Sequence, residues 1–143
     1  MEYRKGSHTI FNLQYHFVWV TKYRYHVLTG DVKLRVREII RQICMRHEMH
    51  IEKGHVSNDH VHLLVSTPAH LSVSEMMQKI KGRSSRMLQQ EFPHLRKRYW
   101  GQHIWARGYF AVTVGQVTEE MIKEYIAGHM EKSPDDGFTV DSD

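Results

Sequence analysis

The apolar residues of this chain change their repeat length several times, and the order of those changes constrains the fold more tightly than any composition figure. Residues 13–21 are rich in aromatic and β-branched side chains, which predicts a strand. From Asp31 onward, Val32, Val36, Ile39, Ile40 and Ile43 fall at helical spacing, with Arg35, Arg37 and Arg41 mostly elsewhere on the wheel. That pattern predicts an amphipathic helix capped by Asp31. Two strands are expected near 50–57 and 60–67, and Ser57-Asn58-Asp59 between them is turn chemistry, so they form a hairpin. Ser72 and Glu75 then make a capping box, with Leu71 and Met76 placed as a hydrophobic staple. Val73, Met76, Met77, Ile80, Met87 and Leu88 supply that helix's buried stripe to about Phe92. After a basic connection, residues 109–114 read as a fourth strand. Thr118 caps a last helix that carries Glu119 and Glu120 in its first turn, where they favour the helix dipole.

The order is β-α-β-β-α-β followed by one extra helix. Two crossovers around a hairpin predict an α+β, ferredoxin-like (RRM-like) sheet with both crossover helices on one face. The other face is left for a ligand. Residues 1–131 are expected to form a single domain with the last helix at about 118–131, and residues 132–143 a polar, acidic tail.

A 143-residue chain with 41% hydrophobic and 25% charged residues has the composition of a globular domain, not of a disordered one. No apolar run approaches the roughly 20 residues that span a bilayer, so no membrane partner is expected. The first residues lack the apolar segment of a signal peptide, and the single cysteine, Cys44, cannot form an internal disulfide. A cytoplasmic location is the expectation. The net charge of +4 understates the body: Lys132 against Asp135, Asp136, Asp141 and Asp143 gives the tail −3 and the rest +7. A basic body points toward polyanions, of which nucleic acid is the commonest in the cytoplasm.

Three constellations carry chemistry. On a strand, His60 and His62 share a face while Val61 and Leu63 point away, and two imidazoles so spaced can converge on one metal ion. With 12 histidines in the chain, about one His-x-His arises by chance, so the pair also reads as the polar face of a half-exposed strand. In the last helix Met121, Tyr125 and His129 form one column beside Ile122, Ile126 and Met130. That column reads either as ordinary core or as a nucleophilic tyrosine with a histidine one turn later. Between the two lie Lys79, Lys81, Arg83, Arg86, Arg96, Lys97 and Arg98 against one acid, Glu91, with Tyr99, Trp100, Trp105, Tyr109 and Phe110 close behind. Such a stretch is either a solvated helix face with core aromatics or a backbone-tracking surface with stacking platforms for unpaired bases.

Five segments, in this order, resemble the IS200/IS605-like transposases, the single-tyrosine HUH (His-hydrophobic-His) endonucleases. They are Tyr15-His16-Phe17-Val18-Trp19-Val20-Thr21-Lys22-Tyr23-Arg24, Asp59-His60-Val61-His62-Leu63-Leu64-Val65, Lys81-Gly82-Arg83-Ser84-Ser85-Arg86, Trp105-Ala106-Arg107-Gly108-Tyr109-Phe110, and the Tyr125 helix. The resemblance implies a transposase acting on hairpin-bearing single-stranded DNA, with Tyr125 as nucleophile and a divalent metal, Mg or Mn, on His60 and His62. The family often has a glutamine four residues after the tyrosine as third ligand; this sequence has His129 there. By the same likeness Tyr125 attacks phosphorus in line, giving a 5′-phosphotyrosine and a free 3′-OH that can later rejoin strands without ATP. Two cleavages per excision and one tyrosine per chain imply a homodimer. By the likeness, the histidines of one subunit pair with the tyrosine helix of the other, with Gly115-Gln116 as the hinge such an exchange would use; the residues themselves leave action in cis or in trans open. Lys79, Arg83, Arg86, Arg96, Lys97 and Arg98 are the candidate DNA contacts. Two further readings are a domesticated nuclease of the same class acting on repeat hairpins, and a non-catalytic single-strand-binding module.

Overall fold

Four strands form one antiparallel sheet: β3 (Gln14–Val20), β4 (His50–Val56), β5 (His60–Ser66) and β6 (Phe110–Thr113), in the spatial order β4-β5-β3-β6. The computed structural model describes residues 4–5, 10–114 and 119–128. The cap at Thr118, the hinge at 115–116, His129 and the tail at 132–143 therefore lie outside the described residues. The helices are α1 (Gly30–Arg46), α2 (Val73–Glu91), the short α3 (Pro93–Arg98) and α4 (Glu119–Ala127). A separate two-stranded ribbon pairs β1 (Arg4–Lys5) with β2 (Ile10–Phe11). Arg4 ties this ribbon to the body by donating to the carbonyls of Ser66 and Glu48.

Strand alternation splits the sheet into two unlike faces. Phe17 and Trp19 of β3 and Val61, Leu63 and Val65 of β5 point one way and are buried under α1 and α2. Each such side chain contributes about 1.5–3 kcal/mol by leaving water. Val36, Ile39, Ile40 and Ile43 of α1 and Met76, Met77, Ile80 and Leu88 of α2 complete this core, which is the stripe the periodicity predicts. The opposite face carries a much smaller apolar group: Val18 and Val20 of β3 under Ile126 of α4, with Phe110, Ile122 and Tyr125 at its margin.

The expected elements are present in the expected order, as an α+β sheet, with a few differences. α1 begins at Gly30 after Thr29, so Asp31 lies inside the first turn and favours the helix dipole there without capping it. The capping box of α2 is formed in full: Ser72 Oγ accepts from the Glu75 amide at 3.1 Å, and Glu75 Oε1 accepts from the Ser72 amide at 2.9 Å. The basic connection after α2 is itself helical, because Pro93 starts a new turn at N1 and Leu95 is fully buried. A bulge between Ile51 and Lys53 restores the alternation of β4, which brings His55 onto the same face as His62.

Candidate active site

The face opposite α1 and α2 gathers most of the chemistry. Register pairs Val20 with His60 and Val18 with His62 across β3 and β5, and Val18 with Phe110 across β3 and β6. Directly paired residues share a face, so His60, His62, Val18, Val20 and Phe110 all point to the side where α4 lies. Tyr125 of α4 packs its ring on Phe110, with centroids 5.6 Å apart. Phe110 and His62 are two strands apart, roughly 10 Å at the sheet's inter-strand spacing. One chain thus carries the histidine pair and the tyrosine on a single surface.

Each candidate ligand has a defined neighbour. His60 is half-buried, and its Nδ1 lies 2.8 Å from Oδ1 of Asp59, which leaves Nε2 for another partner. His62 Nε2 shares a 3.0 Å hydrogen bond with Nδ1 of His16, a residue the sequence reading did not single out. His16 sits on β3 two positions before Val18 and opposite Leu64, hence on the same face. His55 approaches from β4, its ring 6.5 Å from that of His60. Burial lowers the pKa of both His16 and His62, and for His62 the charges of His16, His60 and His55 push the same way. Both shifts favour the neutral imidazole, the form that ligates a metal.

The donor set fits a divalent ion that takes two imidazole nitrogens and completes its shell with oxygen. Among the described residues, no group of three or more His, Cys, Asp and Glu side chains is arranged to hold a metal ion. Position 129 lies outside them, so its part as a third ligand rests on the sequence.

Tyr125 is half-buried, and that burial pushes its phenol up to about 12. At pH 8 only about one phenol in ten thousand would then be ionised, against about one in a hundred for a free tyrosine. Where it rests on Phe110, the tyrosine is a weaker nucleophile than an exposed one.

The basic residues divide. Lys79, Arg83 and Arg86 are exposed on α2, at i, i+4 and i+7, so they line one side of the helical layer and not the histidine face. Burial, and after it the charges of Lys79, Arg46 and Arg83, lower the pKa of His47. Arg96, Lys97 and Arg98 are exposed on α3, and the Arg98 guanidinium lies 4.0 Å over the Tyr25 ring.

The Lys81–Arg86 motif does more structural work than its charge suggests. Lys81 Nζ donates to the carbonyls of Ala106 at 2.8 Å and Gly108 at 2.5 Å, and burial pulls its pKa down to about 8. Ser84 Oγ accepts from the Trp105 indole at 2.9 Å, and Ser85 Oγ accepts from the Ile104 amide at 3.1 Å. The motif therefore pins the segment leading into β6. Of the expected stacking aromatics, Tyr99 and Trp105 are core, whereas Trp100 is 89% exposed.

The turn before the site is under backbone strain. Tyr23 and Arg24 both adopt left-handed φ values, 61° and 54°, at about 1–2 kcal/mol each. The turn swings Arg24 inward, where its Nε donates to Asp59 Oδ2 at 2.6 Å with both side chains nearly fully buried. Burial would raise the Asp59 pKa, but the bond to His60 and the Arg24 charge outweigh it and hold it below the usual carboxylate value.

Comparison with known proteins identifies the family. Residues 9–129 match the family described as "Transposase IS200 like". The ISDra2 transposase TnpA of Deinococcus radiodurans is 32% identical over 132 residues, covering 92% of this chain and 94% of that protein. The transposase for insertion sequence element IS200 of Salmonella typhimurium is 36% identical over 126 residues, 88% of this chain and 82% of that one. A crystal structure described as a transposase from Deinococcus radiodurans R1 superposes with a TM-score of 0.82 at 32% identity, over 88% of this chain and 97% of that chain. A REP-associated tyrosine transposase bound to a REP hairpin shares the fold, with a TM-score of 0.54 at 14% identity over 92% and 72% of the two chains. The chain belongs to the IS200-like transposase family. It is an enzyme of DNA transposition.

Proposed function

We propose that this transposase cleaves and rejoins hairpin-bearing single-stranded DNA ends through a 5′-phosphotyrosine on Tyr125, with a divalent metal, Mg or Mn, held by His60 and His62. The observation that carries this reading is the shared face: two neutral or carboxylate-oriented imidazoles and one tyrosine on the same side of one sheet. The bound ion would polarise the scissile phosphate and favour a nearby phenolate. Tyr125 Oη attacks phosphorus in line and gives its proton to water, the bond from phosphorus to the 3′ oxygen breaks, and that oxygen takes a proton from water to become a 3′-OH. A later 3′-OH attacks the phosphotyrosine, the strands join, and the phenol is restored. His129, four residues after the tyrosine in the sequence, is the candidate third ligand.

Burial of Tyr125 against Phe110 fits a resting position that the helix leaves before the chemistry. A homodimer, in which each tyrosine helix serves a partner's histidines, would supply both the release and the second cleavage. The REP hairpin bound to the fold neighbour supports structured single-stranded DNA as the substrate class. The exposed strip of Lys79, Arg83 and Arg86 and the α3 cations suit its phosphates.

The test is a denaturing gel of the protein incubated with labelled single-stranded hairpin DNA and Mg²⁺ or Mn²⁺, beside Tyr125→Phe and EDTA lanes. A covalent protein–DNA band lost in both controls is the expected result. Hairpin binding with no adduct, across a range of hairpins, would point to the non-catalytic module instead.

A further inference from the structure

One buried network beside the site is not used by the chemistry above. Asp59 is 1% exposed, yet both its carboxylate oxygens are engaged: Oδ1 faces His60 Nδ1 at 2.8 Å, and Oδ2 accepts from Arg24 Nε at 2.6 Å. Its backbone is held as firmly. The Asp59 carbonyl accepts from the Thr21 amide at 2.9 Å and from the Thr21 hydroxyl at 3.3 Å, and the Asn58 carbonyl accepts from the Leu28 amide at 2.9 Å. His26 Nε2 lies 3.8 Å from Oδ2 on the same side. A charged carboxylate can only accept, so the His60 nitrogen facing it must carry the proton. The lone pair of that imidazole then sits on Nε2, the nitrogen turned away from Asp59.

We propose that Asp59, clamped by Arg24 through the left-handed turn at Tyr23-Arg24, is a positioning residue that fixes His60 in the Nδ1–H tautomer and presents Nε2 to the metal. The inference rests on the metal reading above for its purpose, but not for its geometry. Imidazole ligands are commonly oriented in this way by a carboxylate on the far nitrogen. Two consecutive non-glycine residues at positive φ are an uncommon arrangement, and here the arrangement delivers the guanidinium to the one carboxylate next to a candidate ligand. Asp59 touches neither substrate nor metal; it acts through His60.

The substitution Asp59→Asn sharpens the argument. The carboxamide oxygen would stay with the Arg24 donor, so its NH2 would face His60 Nδ1. That nitrogen would then have to accept, and the proton would move to Nε2, where a metal needs the lone pair.

The experiment is a long-range proton–nitrogen correlation spectrum of metal-free, ¹⁵N-histidine-labelled full chain at pH 8, followed by Mn²⁺ titration of wild type and Asp59→Asn. The wild type should show His60 as Nδ1–H. The variant should show Nε2–H, bind Mn²⁺ 10–100-fold more weakly, and bind hairpin DNA in EDTA as wild type does. A wild-type His60 in the Nε2–H form overturns the proposal even if the variant fails to fold, as does an unchanged Mn²⁺ affinity in a folded variant. A wild type that takes up no Mn²⁺ while showing the expected tautomer overturns the metal reading and leaves the Asp59–His60 assignment standing.

Discussion

The two faces of the sheet are built from the same strands and obey different rules. On the helical face, Phe17, Trp19, Val61, Leu63 and Val65 are closed off by α1 and α2. On the other face the same strands present His16, His60 and His62 beside Val18 and Val20, and α4 covers only part of the surface. One face provides rigidity. The other carries half-buried imidazoles and a tyrosine held in an apolar seat. Alternation lets a single seven-residue strand such as β5 serve both purposes.

The sharpest way to break this comparison is to mutate one residue on each face. Trp19→Ala should cost about 3–5 kcal/mol in denaturant unfolding, a large part of a small domain's stability. His62→Ala, one strand over and facing the other way, should change stability by about 1 kcal/mol or less while abolishing adduct formation on the gel. Equal stability losses would mean that the histidine face is also core.

Lys81 tests how the two faces are joined, since it reaches from α2 to the carbonyls of Ala106 and Gly108. Lys81→Met should lower stability by about 1 kcal/mol, because two carbonyls, that of Ala106 part-buried, lose their donor. It should also raise amide exchange in the 104–108 segment.

Acid should expose the histidine face selectively. His16 and His62 have pKa values below the ordinary 6.5 in the folded chain, so the unfolded chain takes up their protons first. Their contribution to stability is therefore complete above pH 6.5 and is lost as pH falls through 6.5 toward the folded values. Denaturant midpoints measured between pH 7.5 and 5.5 should fall, and His16→Phe should flatten the slope.

The smallest effect belongs to the ion pair between the helices. Arg35 meets Glu91 through two bonds of 2.6 and 2.8 Å, and each partner is about one-third exposed. Glu91→Gln should cost less than about 1 kcal/mol and vanish in high salt.

Much of this was legible in the residues. The α1 and α2 stripes, the hairpin and the capping box follow from local periodicity, as does the placement of His60 and His62 opposite Val61 and Leu63. His16 was not singled out, because its approach to His62 depends on how β3 registers against β5, and register is a pairing of residues 46 positions apart. The strand pattern held a signal, since His16 shares parity with Val18 and Val20. The Arg24–Asp59 clamp had no such signal: no propensity predicts two consecutive left-handed residues at Tyr23 and Arg24. The basic stretch misled in part, because Lys81 is a half-buried tether and Tyr99 and Trp105 are core, while the exposed cations of α2 lie on the layer away from the histidines.

Which side chains share a face follows from position along the chain, because alternation in a strand and the 3.6-residue turn of a helix are set by covalent geometry. Which faces meet is a matter of how the elements pack. Strand register, the bulge after Ile51 and the inward turn at Arg24 brought His16 to His62, His55 toward His60 and a charged clamp to Asp59. Contacts of that kind depend on distant pairings whose free energy is summed over the whole core, so no local run of residues encodes them.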